Sequence, residues 1–95
     1  MRKTVYLSNN FGNQIITRNS IRLFLDLLSN ASNKELILDF KDISFISRSC
    51  ADEYIKWKLS LSGKKNIIEI NMSNEVRMMF KLVSLQYKKN SSLTI

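Results

Sequence analysis

The 95-residue sequence predicts one small α/β domain over residues 1–95, with three helices packed on a mostly parallel sheet of about four strands and an N-terminal hairpin. Two observations lead to this fold class. Short apolar runs of strand length alternate along the chain with segments whose apolar residues recur every three or four positions. A chain of this length also has room for only one hydrophobic core.

The first two predicted strands are Thr4–Ser8 and Gln14–Thr17, because both are rich in β-branched or aromatic residues. The polar segment between them contains Gly12 and is typical of a turn. We therefore expect these two strands to form a hairpin.

The first predicted helix follows the hairpin. Thr17 or Asn19 can cap it, since short polar side chains accept hydrogen bonds from the free N–H groups of a first turn. The polar segment Ser29–Lys34 predicts the loop that ends it. Its apolar face repeats at i, i+3, i+4 and i+7 and consists of Ile21, Phe24, Leu25 and Leu28.

Glu35–Phe40 is a short apolar run that predicts a central strand buried on both faces. The next helix is expected to begin at Ser49, because Ser49 and Asp52 have the spacing of a capping box. Gly63 is its expected stop. Its inner face is predicted to carry Ala51, Tyr54, Ile55 and Leu59.

A further strand is predicted over Asn66–Met72, and Ser73 opens the last helix. The tail after this helix, residues 90–95, is either an edge strand or disordered. The core-facing residues of the helix are expected to be Val76, Met79, Phe80 and Val83. Further apolar residues make its apolar face unusually wide: Met78, Leu82 and Leu85.

The formal charge is +7, from fifteen basic and eight acidic residues, but it is spread evenly. Residues 1–50 carry seven basic and four acidic side chains, and residues 51–95 carry eight and four. A solvated basic surface explains such a pattern without any specific ligand. The N-terminal apolar run is too short for a signal peptide, and no apolar stretch reaches the length of a membrane span, so we expect a cytoplasmic protein without membrane association.

Binding sites of open α/β sheets lie where strand C-termini lead into helix N-termini. The sequence places Arg18 at one such junction and the run Ser47-Arg48-Ser49 at another. Helix caps also need serines, so the composition alone leaves a purely structural role open.

The stretch "LILDFKDISFISRSCADEY" resembles the core signature of STAS-like domains, relatives of the sulphate-transporter and anti-sigma-factor-antagonist domain. The segments "IITRNSIRLFL" and "NIIEINMSNEVRMMF" follow the element order of that family, so the resemblance covers nearly the whole chain. Arg18 is similar to an arginine that follows the second strand in such domains.

The resemblance implies a regulatory protein-binding module without catalysis of its own, which docks on ATP-binding regulators of the histidine-kinase-like type. Residues expected to contact a partner are Ser47, Arg48, Ser49, Asp52, Arg18 and Trp57. No cofactor is expected.

The family's phosphorylation switch is altered in this chain. Anti-sigma-factor antagonists are phosphorylated on a serine within Asp-Ser-Ser-Gly, and here Arg48 stands at the position of that serine. Ser47 and Ser49 remain beside it as candidate phosphorylation sites, where a phosphate would lie near a helix N-terminus and a guanidinium.

The amino-acid composition gives little support for an enzyme. Cys50 is the best candidate nucleophile, but the chain contains no histidine to act as its base, and a core position explains a lone cysteine equally well. Asp39 and Asp42 are the only carboxylates that suggest a Mg²⁺ site, and both occupy common structural positions at a strand end and a turn. We therefore expect no enzyme activity and no bound metal.

The main alternative function is nucleic-acid binding, which the net charge and the triplet Lys56-Trp57-Lys58 suggest, since aromatic residues between cations can stack on bases. A second possibility for Trp57 is a protein interface. Both the second and the last helix carry more apolar residues than one sheet face needs, which indicates self-association or another protein contact. In the second helix the excess stripe is Cys50, Tyr54, Trp57 and Leu61.

Overall fold

The computed structural model describes residues 2–93, and side chains over residues 2–87. Strands and helices alternate along this part of the chain, except that the third and fourth strands follow each other directly. The elements are β1 (Arg2–Tyr6), α1 (Ser8–Phe11), β2 (Gln14–Ile15), α2 (Arg18–Ser29), β3 (Glu35–Asp39), β4 (Phe45–Ile46), α3 (Arg48–Ser60), β5 (Asn66–Ile70) and α4 (Asn74–Leu93).

The sheet is parallel but divided. β1, β3 and β5 form a three-stranded sheet in the order β1-β3-β5, and β2 pairs with β4 in a separate two-stranded sheet. The single sheet of about four strands is therefore wrong in detail, although the α/β class and the parallel pairing are confirmed.

The predicted N-terminal hairpin is wrong. β1 pairs parallel with β3, and the Leu7 N–H extends this pairing by donating to the Asp39 carbonyl at 3.1 Å. Leu7 is fully buried, and the residues after it form the short helix α1 instead of a tight turn. This detour carries the chain away from β1, so Gln14–Ile15 meets Phe45–Ile46, a strand that the sequence patterns do not predict.

β3 is the centre of the larger sheet and is covered more completely on one face than on the other. Leu36 and Leu38 have no exposed surface, whereas Glu35 and Ile37 on the opposite face are partly exposed. Arg2 of β1 donates to the Glu35 carboxylate across that second face. The expectation of a strand buried on both faces is therefore wrong in part, because Glu35 and Ile37 on the second face keep exposed surface.

The core lies between the sheet and the three longer helices. Phe40 contacts Tyr54 of α3 and Phe80 of α4 edge-on, with ring centroids 6.1 and 6.0 Å apart. The predicted face of α2 is confirmed, since Ile21, Leu25 and Leu28 are buried. On α4, Val76 and Val83 are buried as expected, and on α3 Ala51 and Tyr54 are buried, but Leu59 is 60% exposed.

The last helix is longer than expected. α4 continues to Leu93, so residues 90–93 are helical rather than an edge strand, and the rest of the predicted tail, Thr94 and Ile95, lies outside the described residues. None of the helices within residues 2–93 has both the length and the hydropathy needed to cross a membrane.

Candidate functional site at the start of helix α3

Ser47, not Ser49, caps α3. The Ser47 hydroxyl accepts a hydrogen bond from the Cys50 N–H at 3.2 Å and donates one to the Ile16 carbonyl at 2.9 Å. This serine therefore ties the helix start to the end of β2. The predicted capping box is wrong, because Asp52 is drawn sideways to Tyr87 and Lys56 instead of back to the first turn.

Ser49 has fewer contacts. Its hydroxyl lies 3.2 Å from the Ser47 hydroxyl, and it lines a shallow cleft at the helix start. Since Ser47 already uses its oxygen as both donor and acceptor, Ser49 is the serine whose hydroxyl is more available to a binding partner or a modifying enzyme.

The cleft beside Ser49 has a volume of about 460 Å³ and is where several of the predicted partner-binding residues meet. Val83 and Gln86 of α4 form its second wall, which the sequence patterns do not predict. The lining residues are Arg18, Arg48, Ser49, Asp52, Val83 and Gln86.

Arg48 is the exposed cation of this cleft. Among the described residues, no carboxylate lies within ion-pair distance of its guanidinium. A guanidinium presents five donors in a planar fork and grips a carboxylate or phosphate with two of them. Arg48 thus has the chemistry to anchor an acidic or phosphorylated group from outside.

Arg18, by contrast, is engaged within the chain. Its guanidinium lies 2.8 Å from Glu53 Oε1 and 3.8 Å from Asp52 Oδ2. Arg22 adds a second contact to Glu53, at 2.9 Å, and Lys56 lies 3.2 Å from Asp52. The pairs made by Arg18 and Arg22 join α2 to the first turns of α3, whereas the Lys56–Asp52 pair lies within α3. Arg18 therefore serves to position the two helices.

The carboxylates of this network are held in their charged form. The hydrogen bond from Tyr87 is the main cause that lowers the pKa of Asp52, and the hydrogen bond from Arg22 lowers the pKa of Glu53. Burial, together with the hydrogen bond to Asp52 at 2.6 Å, raises the pKa of Tyr87 to about 12. Local sequence patterns do not reveal the Tyr87–Asp52 contact, because the two residues are 35 positions apart.

Trp57 lies in the core and not on the surface of the site. It is only 8% exposed, and its indole Nε1 donates to the Ser29 hydroxyl at 2.7 Å. Lys56 and Lys58 on either side pair with Asp52 and Glu69. The indole face is therefore covered, which leaves little of it to contact a partner or to stack on a base.

The same burial accounts for the wide apolar face of α3. Cys50, Tyr54, Trp57 and Leu61 are each at most 8% exposed, so contacts within the chain cover the whole second stripe. The expectation that this stripe awaits a partner is wrong, because α2 and α4 pack on either side of α3.

The additional apolar residues of α4, unlike those of α3, remain exposed to solvent. Met78, Leu82 and Leu85 are 65%, 56% and 55% exposed, and they lie on the side of α4 opposite its core residues Val76 and Val83. A contiguous exposed stripe on a helix is a feature of protein contact surfaces.

Two of the three residues considered for catalysis or metal binding are buried. Cys50 has no exposed surface. Asp39 is 7% exposed and accepts hydrogen bonds from the Lys41 N–H at 2.9 Å and the Asn71 amide at 3.0 Å. Asp42 is an exposed turn residue with a φ of 68°.

Comparisons of this chain with protein-family models, curated proteins and solved structures find no match.

Proposed function

We propose that this chain is a non-enzymatic, cytoplasmic regulatory module that binds another protein through the surface at the start of α3. The partner class implied by the resemblance to STAS-like domains is an ATP-binding regulator of the histidine-kinase-like type. Arg48 carries the proposal: it is exposed, whereas Arg18 and Lys56 nearby are paired with Asp52 and Glu53.

Arg48 and Ser49 form the polar part of the proposed contact. Because Arg18 and Asp52 line the same cleft while pairing with each other, they shape the surface and hold α2 against α3. Ser47 stabilises the start of α3 through its hydrogen bonds to Ile16 and Cys50. Ser49 is the better candidate for phosphorylation, since a phosphate on Ser47 would break the bonds to Ile16 and Cys50.

The exposed stripe on α4 supplies the apolar part of the contact. Gln86 of α4 lines the Arg48 cleft, and Leu82 lies one turn before it on the same side of the helix. Interfaces commonly combine an apolar centre with a polar rim that fixes orientation. One partner surface can therefore cover both the arginine and the leucines.

Nucleic-acid binding remains the alternative, but its main supporting motif, Lys56-Trp57-Lys58, is poorly placed to bind bases. The aromatic face of Trp57 is buried and both flanking lysines are ion-paired. Stacking of bases on this triplet would require the core to open.

The test is affinity capture from the source cell with three baits: the wild type, Arg48→Glu and Lys34→Glu. Lys34 is exposed and immediately precedes β3, whereas Arg48 follows the end of β4, and Lys34 does not line the cleft, so Lys34→Glu makes the same charge change away from the site. We expect the wild type and Lys34→Glu to retain the same protein partner and Arg48→Glu to lose it.

The recovered partner is then titrated with purified baits, and Arg48→Glu should weaken binding at least about tenfold relative to Lys34→Glu, as expected for a charge reversal at an anchoring ion pair. Equal binding by both variants would refute the role of Arg48. Recovery of nuclease-sensitive complexes by all three baits would favour the alternative.

A further inference from the structure

β5 forms one of the two edges of the larger sheet, and β1 forms the other. β5 stands at the end of the strand order, and among the described residues it pairs only with β3. None of its five residues is buried, whereas Leu36, Leu38 and Asp39 of the central strand β3 are. Exposed sheet edges of this kind are templates for pairing with another strand.

The backbone of β5 leaves hydrogen-bonding groups directed to the free edge. The Asn66 N–H donates to the Lys34 carbonyl at 2.8 Å, and the Ile70 carbonyl accepts from the Phe40 N–H at 2.9 Å, so these two residues face β3. Successive residues of a strand direct their N–H and C=O groups to opposite sides. The N–H and C=O groups of Ile67 and Glu69 therefore point outward, where a further strand can bond them.

A cleft of about 590 Å³ lies next to this edge, between α3 and α4. Ile67 and Glu69 form its floor, and Leu59, which is 60% exposed, stands on its α3 wall. Every second side chain of a strand added beside β5 would point to this face of the sheet. The cleft thus provides the space that such side chains need.

The charges on this face favour a second copy of the same chain as the occupant. Lys65, Ile67 and Glu69 alternate along one side of the strand, in the order positive, apolar, negative. An antiparallel copy related by a two-fold axis at Ile67 places each Lys65 opposite the other copy's Glu69 and the two Ile67 residues opposite each other. A two-fold axis at Glu69 would instead oppose like charges.

Both charged side chains have bonding capacity left for this pairing. The Lys65 ammonium has three donors, of which two go to the Ala31 and Asn33 carbonyls. The Glu69 carboxylate accepts from Tyr54 and from Lys58, and two carboxylate oxygens offer about four acceptor positions. To form the new ion pair, the Lys65 ammonium would turn from the Ala31 and Asn33 carbonyls, which lie in the loop before β3, toward the free edge.

We propose that β5 is an intermolecular strand, through which two copies of this chain pair antiparallel about Ile67 to form one continuous sheet. This surface lies beside the C-terminal half of α3, away from the Arg48 cleft at its N-terminus. The proposal does not depend on the proposed function.

Sedimentation equilibrium over a wide range of protein concentrations tests the dimer. Leu59→Asp is the informative variant, because Leu59 is exposed in the single chain but lines the cleft that the second copy would enter. Leu82→Asp is its matched control, a similarly exposed helical leucine, 56% against 60%, on the outer stripe of α4. We expect a concentration-dependent dimer that Leu59→Asp weakens at least about tenfold and Leu82→Asp leaves unchanged.

Disulfide crosslinking tests the register in the full chain. Cysteines at Ile67 would face each other as a hydrogen-bonded pair, about 5.5 Å apart between Cα atoms, within the range that a disulfide bridges. Ile67→Cys should therefore form an oxidised dimer, whereas Ile68→Cys and Ile70→Cys should not. The native Cys50 does not compete because it is buried.

Three results would overturn the proposal: a monomer at every concentration, a dimer that Leu82→Asp dissociates and Leu59→Asp does not, or crosslinking at Ile68 in place of Ile67. Circular dichroism of each variant confirms that it remains folded before its mass is measured.

Discussion

Trp57 Nε1 of α3 donates a 2.7 Å hydrogen bond to the Ser29 hydroxyl at the end of α2, while the indole is buried against Tyr54. Ser29 in turn donates to the Leu25 carbonyl one turn earlier. A residue that could serve a partner or a nucleic acid is thereby used to join two helices of the same chain.

Trp57→Ala should lower the free energy of unfolding by about 3–5 kcal/mol, because it leaves a large cavity between α2 and α3. Ser29→Ala should cost about 1–3 kcal/mol, since it leaves the indole N–H without its partner. Urea denaturation measures both. Leu82→Ala, on the exposed side of α4, is the control and should change stability by no more than about 0.5 kcal/mol. A Trp57→Ala protein as stable as the wild type would place the indole outside the core.

Ser47→Ala should destabilise the chain by about 1–2 kcal/mol, because the hydroxyl both caps α3 and bonds the Ile16 carbonyl. Ser49→Ala is the matched comparison and should be close to neutral, since Ser49 makes one hydroxyl contact. Thermal unfolding of the two variants distinguishes them. A larger loss of stability in Ser49→Ala than in Ser47→Ala would indicate that Ser49 caps the helix.

Acid should weaken the contact between α2 and α3. The folded-state pKa of Glu53 is lowered from its ordinary 4.5, so the stability it contributes is present above that value and is lost as the pH falls through the lower folded pKa. Hydrogen bonds from Arg2 and Asn66 lower the pKa of Glu35 as well, so the informative quantity is the difference between the wild type and Glu53→Gln. Urea unfolding at a series of pH values should show a shallower acid loss in Glu53→Gln; parallel curves would contradict the prediction.

Alkaline pH should destabilise the folded chain through the ionisation of Tyr87. Its pKa is raised from 10 to about 12 in the folded chain, so its contribution is full below pH 10 and is lost as the pH rises toward 12, because the unfolded state loses the proton first. Tyr87→Phe should therefore lose less stability than the wild type between these values. The measurement is the free energy of unfolding on both sides of pH 10. An equal loss in both proteins would show that the Tyr87–Asp52 bond does not affect folding.

The repeating local patterns predicted most of the secondary structure. Ile21, Leu25 and Leu28 recur at helical spacing and are buried, and Glu35–Asp39 is a strand. Such patterns are reliable because they arise from steric and solvation effects within a few residues of each other. The placement of Arg48 at the start of a helix followed from the same kind of information.

The pairing of the short N-terminal strands required the tertiary structure. Thr4–Tyr6 and Gln14–Ile15 are close in sequence, yet each pairs with a different distant strand, because burial of Leu7 and the turn of α1 redirect the chain. Local β propensity does not specify a partner strand.

Composition and local periodicity were enough to predict the α/β class, the helical faces of α2 and α4, and the position of Arg48 at the start of a helix. The bonds from Ser47 to Ile16, from Trp57 to Ser29 and from Tyr87 to Asp52 became visible only in the folded chain. Distance along the chain explains the difference. Propensity and periodicity act over a few residues, whereas these contacts join residues about thirty positions apart and exist only once the sheet has set the places of its helices.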